Sequence, residues 1–273
     1  MKSKISLVLL CAAAGVPAFA TSSSVSYVDE SGATQNISFD YSWSNEGKVS
    51  QVEISVYPYY MYDIEHDYSH VVPAEIYNYG TIDGLTLSSA EDGARANFTS
   101  LSGSTVCGNI SISSGSEVWQ SHIYGSIGAG TRFSINGTLN DLYLHGERWD
   151  ISAEDAASDV ALISGDGYLG MNSTKTLTLN FVTEEALKST DSLNLISGTI
   201  SLASGYYGNF AGIDIAVGGV VLSDYEANLV LDTASADFGK VLISQIPEPS
   251  SFGLLAGAFA LALCAFRRRR RSR

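Results

Sequence analysis

Gly80-Thr81-Ile82-Asp83-Gly84-Leu85-Thr86-Leu87 and Gly137-Thr138-Leu139-Asn140-Asp141-Leu142-Tyr143-Leu144 share one frame, Gly-Thr-apolar-x-x-Leu-x-Leu. Each begins at a glycine and ends in two leucines separated by one polar residue, so one face of an extended strand is apolar and the other polar. Thr105-Val106 and Ser126-Ile127 begin similar steps between them. Steps near twenty residues, with short strands and polar corners, are what the stacked coils of a parallel β-solenoid produce, because each coil buries its face on the next. A β-sandwich of several hairpins is the alternative that this spacing leaves open.

Outward from these frames the alternation persists. Val25-Ser26-Tyr27-Val28, Val52-Glu53-Ile54-Ser55-Val56-Tyr57, Ile110-Ser111-Ile112 and Leu177-Thr178-Leu179-Asn180-Phe181 repeat it, and Asn45-Glu46-Gly47-Lys48 reads as a hairpin-like break. Helical periodicity is confined to Thr183–Lys188 and Ser152–Ala157. The fold class is therefore all-β: an irregular parallel β-solenoid with flanking antiparallel β units. The body divides into a Tyr-rich N-terminal segment at 21–72, a solenoid-like segment at 73–160 and a C-terminal β unit at 161–245.

Both ends read as sorting signals. Lys2 and Lys4, the apolar run Ile5–Gly15 and the small residues Ala18 and Ala20 form a secretory signal over 1–20, with signal peptidase cleaving before Thr21. At the other end, Pro247, Glu248 and Pro249 can continue no regular element, since each proline lacks a donor and disfavours helix before it. An uncharged apolar stretch follows to Phe266, long enough for a C-terminal transmembrane helix. Arg267, Arg268, Arg269, Arg270 and Arg271 then hold the end in the cytoplasm, leaving the body outside.

This order over 246–273 resembles the PEP-CTERM sorting signal, carried here by Ile246-Pro247-Glu248-Pro249-Ser250, the apolar Phe252–Phe266 and the arginine cluster. The resemblance covers about a tenth of the chain. It implies processing by an exosortase near the Pro-Glu-Pro motif in a Gram-negative bacterium that exports polysaccharide. The localisation it implies is an inner-membrane-anchored intermediate, then the cell surface or extracellular matrix. A plain C-terminal anchor would have the same topology. Within the body, Thr174–Thr183, Glu184-Glu185-Ala186-Leu187 and Leu193–Gly198 loosely resemble a segment of autotransporter-like β-rich surface proteins, which favours a terminal β unit that covers an open sheet edge.

Composition narrows the function. Between Thr21 and Gln245 lie 28 acidic and seven basic residues, a surface that repels nucleic acid and anionic membranes. Cys107 is the one cysteine of that body, so no internal disulfide forms and stability rests on apolar burial. Its place in Val106-Cys107-Gly108-Asn109-Ile110 predicts a small buried residue.

Asp63-Ile64-Glu65-His66-Asp67-Tyr68-Ser69-His70 would offer two imidazoles to a metal only if it were helical. Its flanks, Tyr57-Pro58-Tyr59-Tyr60 and Val72-Pro73, predict an extended course, so we assign no metal ligands and no cofactor. Nucleophile-elbow, zinc-protease and phosphate-loop motifs are absent from the sequence, and an enzyme is not expected.

Tyr57, Tyr59, Tyr60, Tyr62, Tyr68, Tyr77 and Tyr79 crowd one quarter of the body. Tyrosine is a preferred strand residue, and its ring also stacks on sugar C–H surfaces. Tyr59, Tyr60 and Tyr62 are the candidate glycan contacts. The expected function is a non-enzymatic exported surface or matrix protein associated with exopolysaccharide and biofilm. The alternatives are a dedicated carbohydrate-binding adhesin and, further off, a polysaccharide-active enzyme.

Overall fold

The computed structural model describes residues 22–63, 68–89, 94–113, 118–146 and 148–246. The signal residues Ala18 and Ala20, the motif Pro247-Glu248-Pro249, the apolar span and Arg267–Arg271 lie outside them. Among the described residues no helix is long and apolar enough to cross a membrane.

The chain is all-β. It begins with β1 (Ser23–Val28), β2 (Thr34–Phe39), β3 (Ser42–Asn45), β4 (Lys48–Val56), β5 (Tyr59–Asp63) and β6 (Tyr68–Val72). Next come β7 (Ala74–Asn78), β8 (Thr81–Ser89), β9 (Arg95–Ser100), β10 (Thr105–Ser113), β11 (Val118–Ile123), β12 (Ser126–Ile127), β13 (Arg132–Asn136) and β14 (Asn140–Leu144). After β15 (Arg148–Ile151) and helix α1 (Ala153–Ala156) run β16 (Ile163–Gly165), β17 (Tyr168–Met171) and β18 (Thr176–Phe181), then α2 (Glu184–Lys188). The chain closes with β19 (Ser192–Asn194), β20 (Ser201–Leu202), a 3₁₀ turn at Gly205–Tyr207, β21 (Gly212–Val217), β22 (Val220–Val221), β23 (Tyr225–Leu229) and β24 (Lys240–Gln245).

Two sheets dominate. Sheet I runs β2-β1-β4-β8-β10-β12-β15-β18-β21-β22, with β13 and β16 joined at its side, and sheet II runs β3-β7-β9-β11-β14-β17-β20. The chain crosses between them repeatedly, so strands neighbouring in space are separated in sequence by a strand of the other sheet. All sheet II pairs are parallel, as are the sheet I pairs from β4 to β21. A hairpin sandwich would pair sequential strands antiparallel, which happens here only at the ends and in the inserted hairpin β5–β6. Strand pairing continues across both 72/73 (β4 with β8) and 160/161 (β13 with β16), so the three body segments share this pair of sheets.

Apolar residues stack from rung to rung between the sheets. Val52, Leu85, Ile110, Phe133 and Ile163 align in one file, and Ile54, Leu87, Ile112 and Ile135 in the next, all buried. The offset between aligned residues of sheet II is 22, then 23, then 21 residues from β7 to β14. It stretches to 33 across β3–β7, where β5–β6 is inserted, and to 27 and 33 toward β20. The near-twenty step thus describes the central coils alone.

The two sequence frames occupy different sheets: Thr81–Ser89 is in sheet I and Asn140–Leu144 in sheet II. They look alike because either sheet needs a tight corner followed by two inward leucines, not because they are equivalent in the stack. Asn45-Glu46-Gly47-Lys48 is likewise a corner between sheets rather than a hairpin turn. Corner packing there is close: a Cβ on Gly80 would lie 2.0 Å from the Gly47 carbonyl oxygen.

A polar ladder seals these corners. Asn45 Nδ2 donates to Asn78 Oδ1 at 2.9 Å, Asn78 Nδ2 donates to Ser100 Oγ at 3.1 Å, and Ser100 meets Ser104 at 2.6 Å. Both asparagines also cap their own turn, accepting from the backbone N–H of Gly47 and Gly80. Both expected helical turns form, capped by Ser152 and Thr183. Asp155 of α1 accepts from Ser152, Gly130 N–H and Arg132, the last at 2.5 Å, which fixes the helix to the turn before β13. Burial works against that carboxylate's charge, but these donors outweigh it and hold its pKa below the ordinary value.

Cys107 is half-buried rather than fully enclosed, its thiol directed at the Ile82 carbonyl at 3.4 Å. Val106 beside it points inward and is fully buried, so alternation sends Cys107 to the other face; a bulge follows, where Gln51, Gly84 and Gly108 have positive φ and the β8–β10 register slips between Cys107 and Ile110.

Candidate functional site: the outer face of sheet II

Because side chains alternate across each strand, every second residue of sheet II points outward, and parallel register aligns these residues into files. One file runs Glu75, Asn97, Gln120, Asp141 and Tyr168. The second runs Tyr77, Thr99, His122, Tyr143 and Gly170. Just past the strand ends, Tyr79, Leu101, Tyr124, His145 and Asn172 continue the stacking through backbone bonds to the preceding rung.

The first file is hydrogen-bonded along its length. Asn97 Nδ2 donates to Glu75 at 2.8 Å, Gln120 bonds to Asp141, and the Tyr143 hydroxyl donates to Asp141 at 3.2 Å. Burial pushes the Asp141 carboxyl up, against the pull of Tyr143 and Gln120, and burial beside that carboxylate pushes the Tyr143 phenol up to about 12. Beside this file a cleft of about 230 Å³ is lined by Pro73, Arg95, Asn97 and Gln120. A wider hollow of about 480 Å³ lies on the first coil, between Tyr27, Trp43, Glu46 and Lys48, away from these files.

The other two files form a ring stack. His122 lies on Tyr143 at 4.8 Å and 10°, and Tyr124 lies on His145 at 3.8 Å and 15°. Tyr207 covers both, 4.9 Å from Tyr143 and edge-on to His145 at 5.9 Å. Space for the Tyr143 ring exists because residue 170 is glycine, where a Cβ would sit 2.4 Å from that ring. A ring stacked between neighbours offers solvent its edge rather than its face, so this surface presents hydroxyl, amide and imidazole hydrogen-bonding groups rather than stacking platforms.

The two imidazoles meet at 3.1 Å, His122 Nδ1 to His145 Nε2. Their tautomers follow from Asn172. Its Oδ1 accepts from the Thr174 N–H and hydroxyl at 2.9 and 2.8 Å, so its Nδ2 faces His145 Nδ1 at 3.4 Å as donor. His145 therefore carries its proton on Nε2 and donates to His122 Nδ1, and His122 keeps its own proton on the outer Nε2. The shared nitrogens hold a proton between them and cannot chelate a metal in this arrangement. Among the described residues no group of three or more His, Cys, Asp or Glu is placed to hold a metal ion. Burial, with His122 close by, lowers the His145 pKa to about 4, and burial lowers that of His122 as well.

The tyrosines singled out in the sequence divide between the inserted hairpin and this face. Tyr59 and Tyr60 lie on the inserted hairpin, Tyr60 exposed at 61% and Tyr59 6.4 Å from Tyr41. The side chain of Tyr62 lies outside the described residues. Tyr77 and Tyr79 join the outer files of sheet II. The acidic stretch from Asp63 to His70 is extended where described, Asp63 pairing with Tyr68 and Met61 with His70, and residues 64–67 lie outside the description. The ring stack has a sequence trace, His122-Ile-Tyr124 followed 21 residues on by Tyr143-Leu-His145, which becomes readable once the coil length is known.

No family model, no curated protein and no solved structure matches the chain.

Proposed function

We propose that this protein is a non-enzymatic, exported component of a bacterial surface or matrix, whose β-solenoid body contacts exopolysaccharide through the outer face of sheet II. The observation that carries the reading is the file Glu75-Asn97-Gln120-Asp141 beside the ring edges of Tyr77, His122 and Tyr143. Parallel strands set such groups about 4.8 Å apart along the stack, near the length of one pyranose ring. Amides and carboxylates at that repeat suit a chain of sugar hydroxyls lying along the stack, each contact weak and many made together. The acidic body favours a neutral or basic polysaccharide over an anionic one. Export, exosortase processing and the passage through the inner membrane rest on the two terminal sorting signals. The adhesin alternative rests on Tyr60, whose exposed ring on the β5–β6 hairpin keeps a face free for stacking.

The test is binding of the purified protein to a panel of polysaccharides, including the producer's own matrix, with and without calcium. Saturable binding that Asn97→Ala/Gln120→Ala abolishes, with the β circular dichroism unchanged, supports the sheet II face. Loss through Tyr60→Ala instead moves the site to the hairpin. New reducing ends released from any glycan overturn the non-enzymatic reading.

A further inference from the structure

We infer that the His122–His145 pair is an acid-triggered latch that holds the Gly205–Tyr207 turn against the outer face of sheet II, a regulatory element of the glycan-contacting surface proposed above. The inference rests on that proposal only for its functional consequence; the latch itself is read from geometry.

Neither histidine can take up a proton without creating a conflict. A proton on His122 Nδ1 would face the His145 Nε2–H at 3.1 Å, two donors with no acceptor between them. A proton on His145 Nδ1 would face the Asn172 amide N–H at 3.4 Å. Rotating that amide would relieve the second conflict but would turn its N–H groups onto the Thr174 N–H and hydroxyl, which now donate to Oδ1 at 2.9 and 2.8 Å. Protonation therefore costs a hydrogen bond wherever it occurs.

The groups packed around the pair cannot absorb that charge at small cost. Tyr124 follows β11, Tyr143 and Asp141 come from β14, Tyr168 from β17, and Tyr206 and Tyr207 from the 3₁₀ turn, with Lys175 before β18. Asp141 is the carboxylate of this set, and it is already held by Gln120 and the Tyr143 hydroxyl. His145 is buried at 5% exposure, and both imidazoles resist protonation because of burial.

The turn above depends on the neutral pair. Tyr207 rests edge-on against His145 and over Tyr143, and the Tyr206 carbonyl accepts from Ser173 N–H at 2.8 Å, next to Asn172. Displacing His145 removes the floor under Tyr207 and disturbs Asn172, so the turn lifts. Sheet II beneath it keeps its backbone ladder, and the event stays local.

The experiment is an acid titration of the protein without glycan, from pH 7.5 to 4. Histidine ring signals assigned through His122→Asn and tyrosine near-ultraviolet circular dichroism are followed together, with far-ultraviolet dichroism as the fold control. His122→Asn keeps an acceptor opposite His145, and His145→Gln keeps a donor opposite residue 122, so the double variant is a non-titrating mimic of the neutral pair. Wild type should lose the tyrosine signal with a midpoint between pH 4 and 6.5 while its β spectrum persists, and the double variant should not. An identical tyrosine transition in both proteins overturns the latch. If the double variant fails to fold at pH 7.5, the wild-type ring signals decide: titration of His122 and His145 near 6.5, without loss of tyrosine signal, overturns it equally. A second arm adds the glycan that binds at neutral pH. Absence of any bound glycan removes the surface reading and leaves the latch standing, whereas binding that survives unlatching removes the regulatory consequence.

Discussion

Replacing Asn78 by alanine tests whether the corner ladder organises the first coils. The side chain is fully buried and makes four hydrogen bonds. Its amide donates to Ser100 Oγ at 3.1 Å and the Thr105 carbonyl at 3.2 Å, and its oxygen accepts from Asn45 Nδ2 at 2.9 Å and Gly80 N–H at 3.2 Å. At about 1 kcal/mol net for each, the loss is about 4 kcal/mol. Asn45 keeps Gly47 and Thr81 as acceptors and Ser100 keeps Ser104, which lowers the expectation to about 3 kcal/mol. Removing Asn45 itself should cost less, about 2 kcal/mol, because it ends the ladder and its loss breaks two inter-rung bonds, to Asn78 and Thr81, instead of three. Urea unfolding of both variants, compared at equal slope, measures the difference. A cost below about 1 kcal/mol for Asn78→Ala, or one no larger than for Asn45→Ala, refutes a cooperative ladder.

Three further outcomes are expected. Gln51→Gly should stabilise the protein by up to about 1 kcal/mol in the same urea assay, since Gln51 is the non-glycine member of the positive-φ bulge file, at φ 51°. Gly170→Ala should cost about 1–3 kcal/mol and weaken the tyrosine near-ultraviolet dichroism, because the new methyl displaces the Tyr143 ring confined by His122 and Tyr207. Thermal stability should fall as pH drops from 6.5 toward 4. Over that window the unfolded chain binds the His145 proton and the latched chain does not, a loss that grows until the latch opens, reaches at most about 2–3 kcal/mol by pH 4 and should vanish in His145→Gln.

The sequence was most legible where a local rule sufficed. Leu85 and Leu87, or Ile110 and Ile112, declare an inward face by alternation alone, and Ser152 and Thr183 declare their short helices by capping. What alternation leaves open is which strands lie side by side. That depends on coil length, which varies from 21 to 33 residues along sheet II. His122 and His145 meet only because β11 and β14 are one rung apart, and nothing local in either strand announces the partner. The tyrosine excess near Tyr59 and Tyr60 was visible as composition, but composition did not show that those two lie on an inserted hairpin outside the files of Tyr77 and Tyr143. Cys107 was read as buried from its size, although Val106 beside it takes the inward place and alternation turns the thiol to the other face.

The last strand has a mechanical consequence. β24, which ends at Gln245 just before the proposed sorting tail, lies between β19 and β23 and is hydrogen-bonded antiparallel to both. If the protein is held by that tail, tension enters along the strand, and the bonds on both flanks are loaded together in shear rather than opened one at a time. The opposite end is gripped in the same way, because β1, the first strand, lies between β2 and β4 and is bonded antiparallel to both. Pulled from either end, the body should resist through a strand bonded on both flanks and transmit force as a unit.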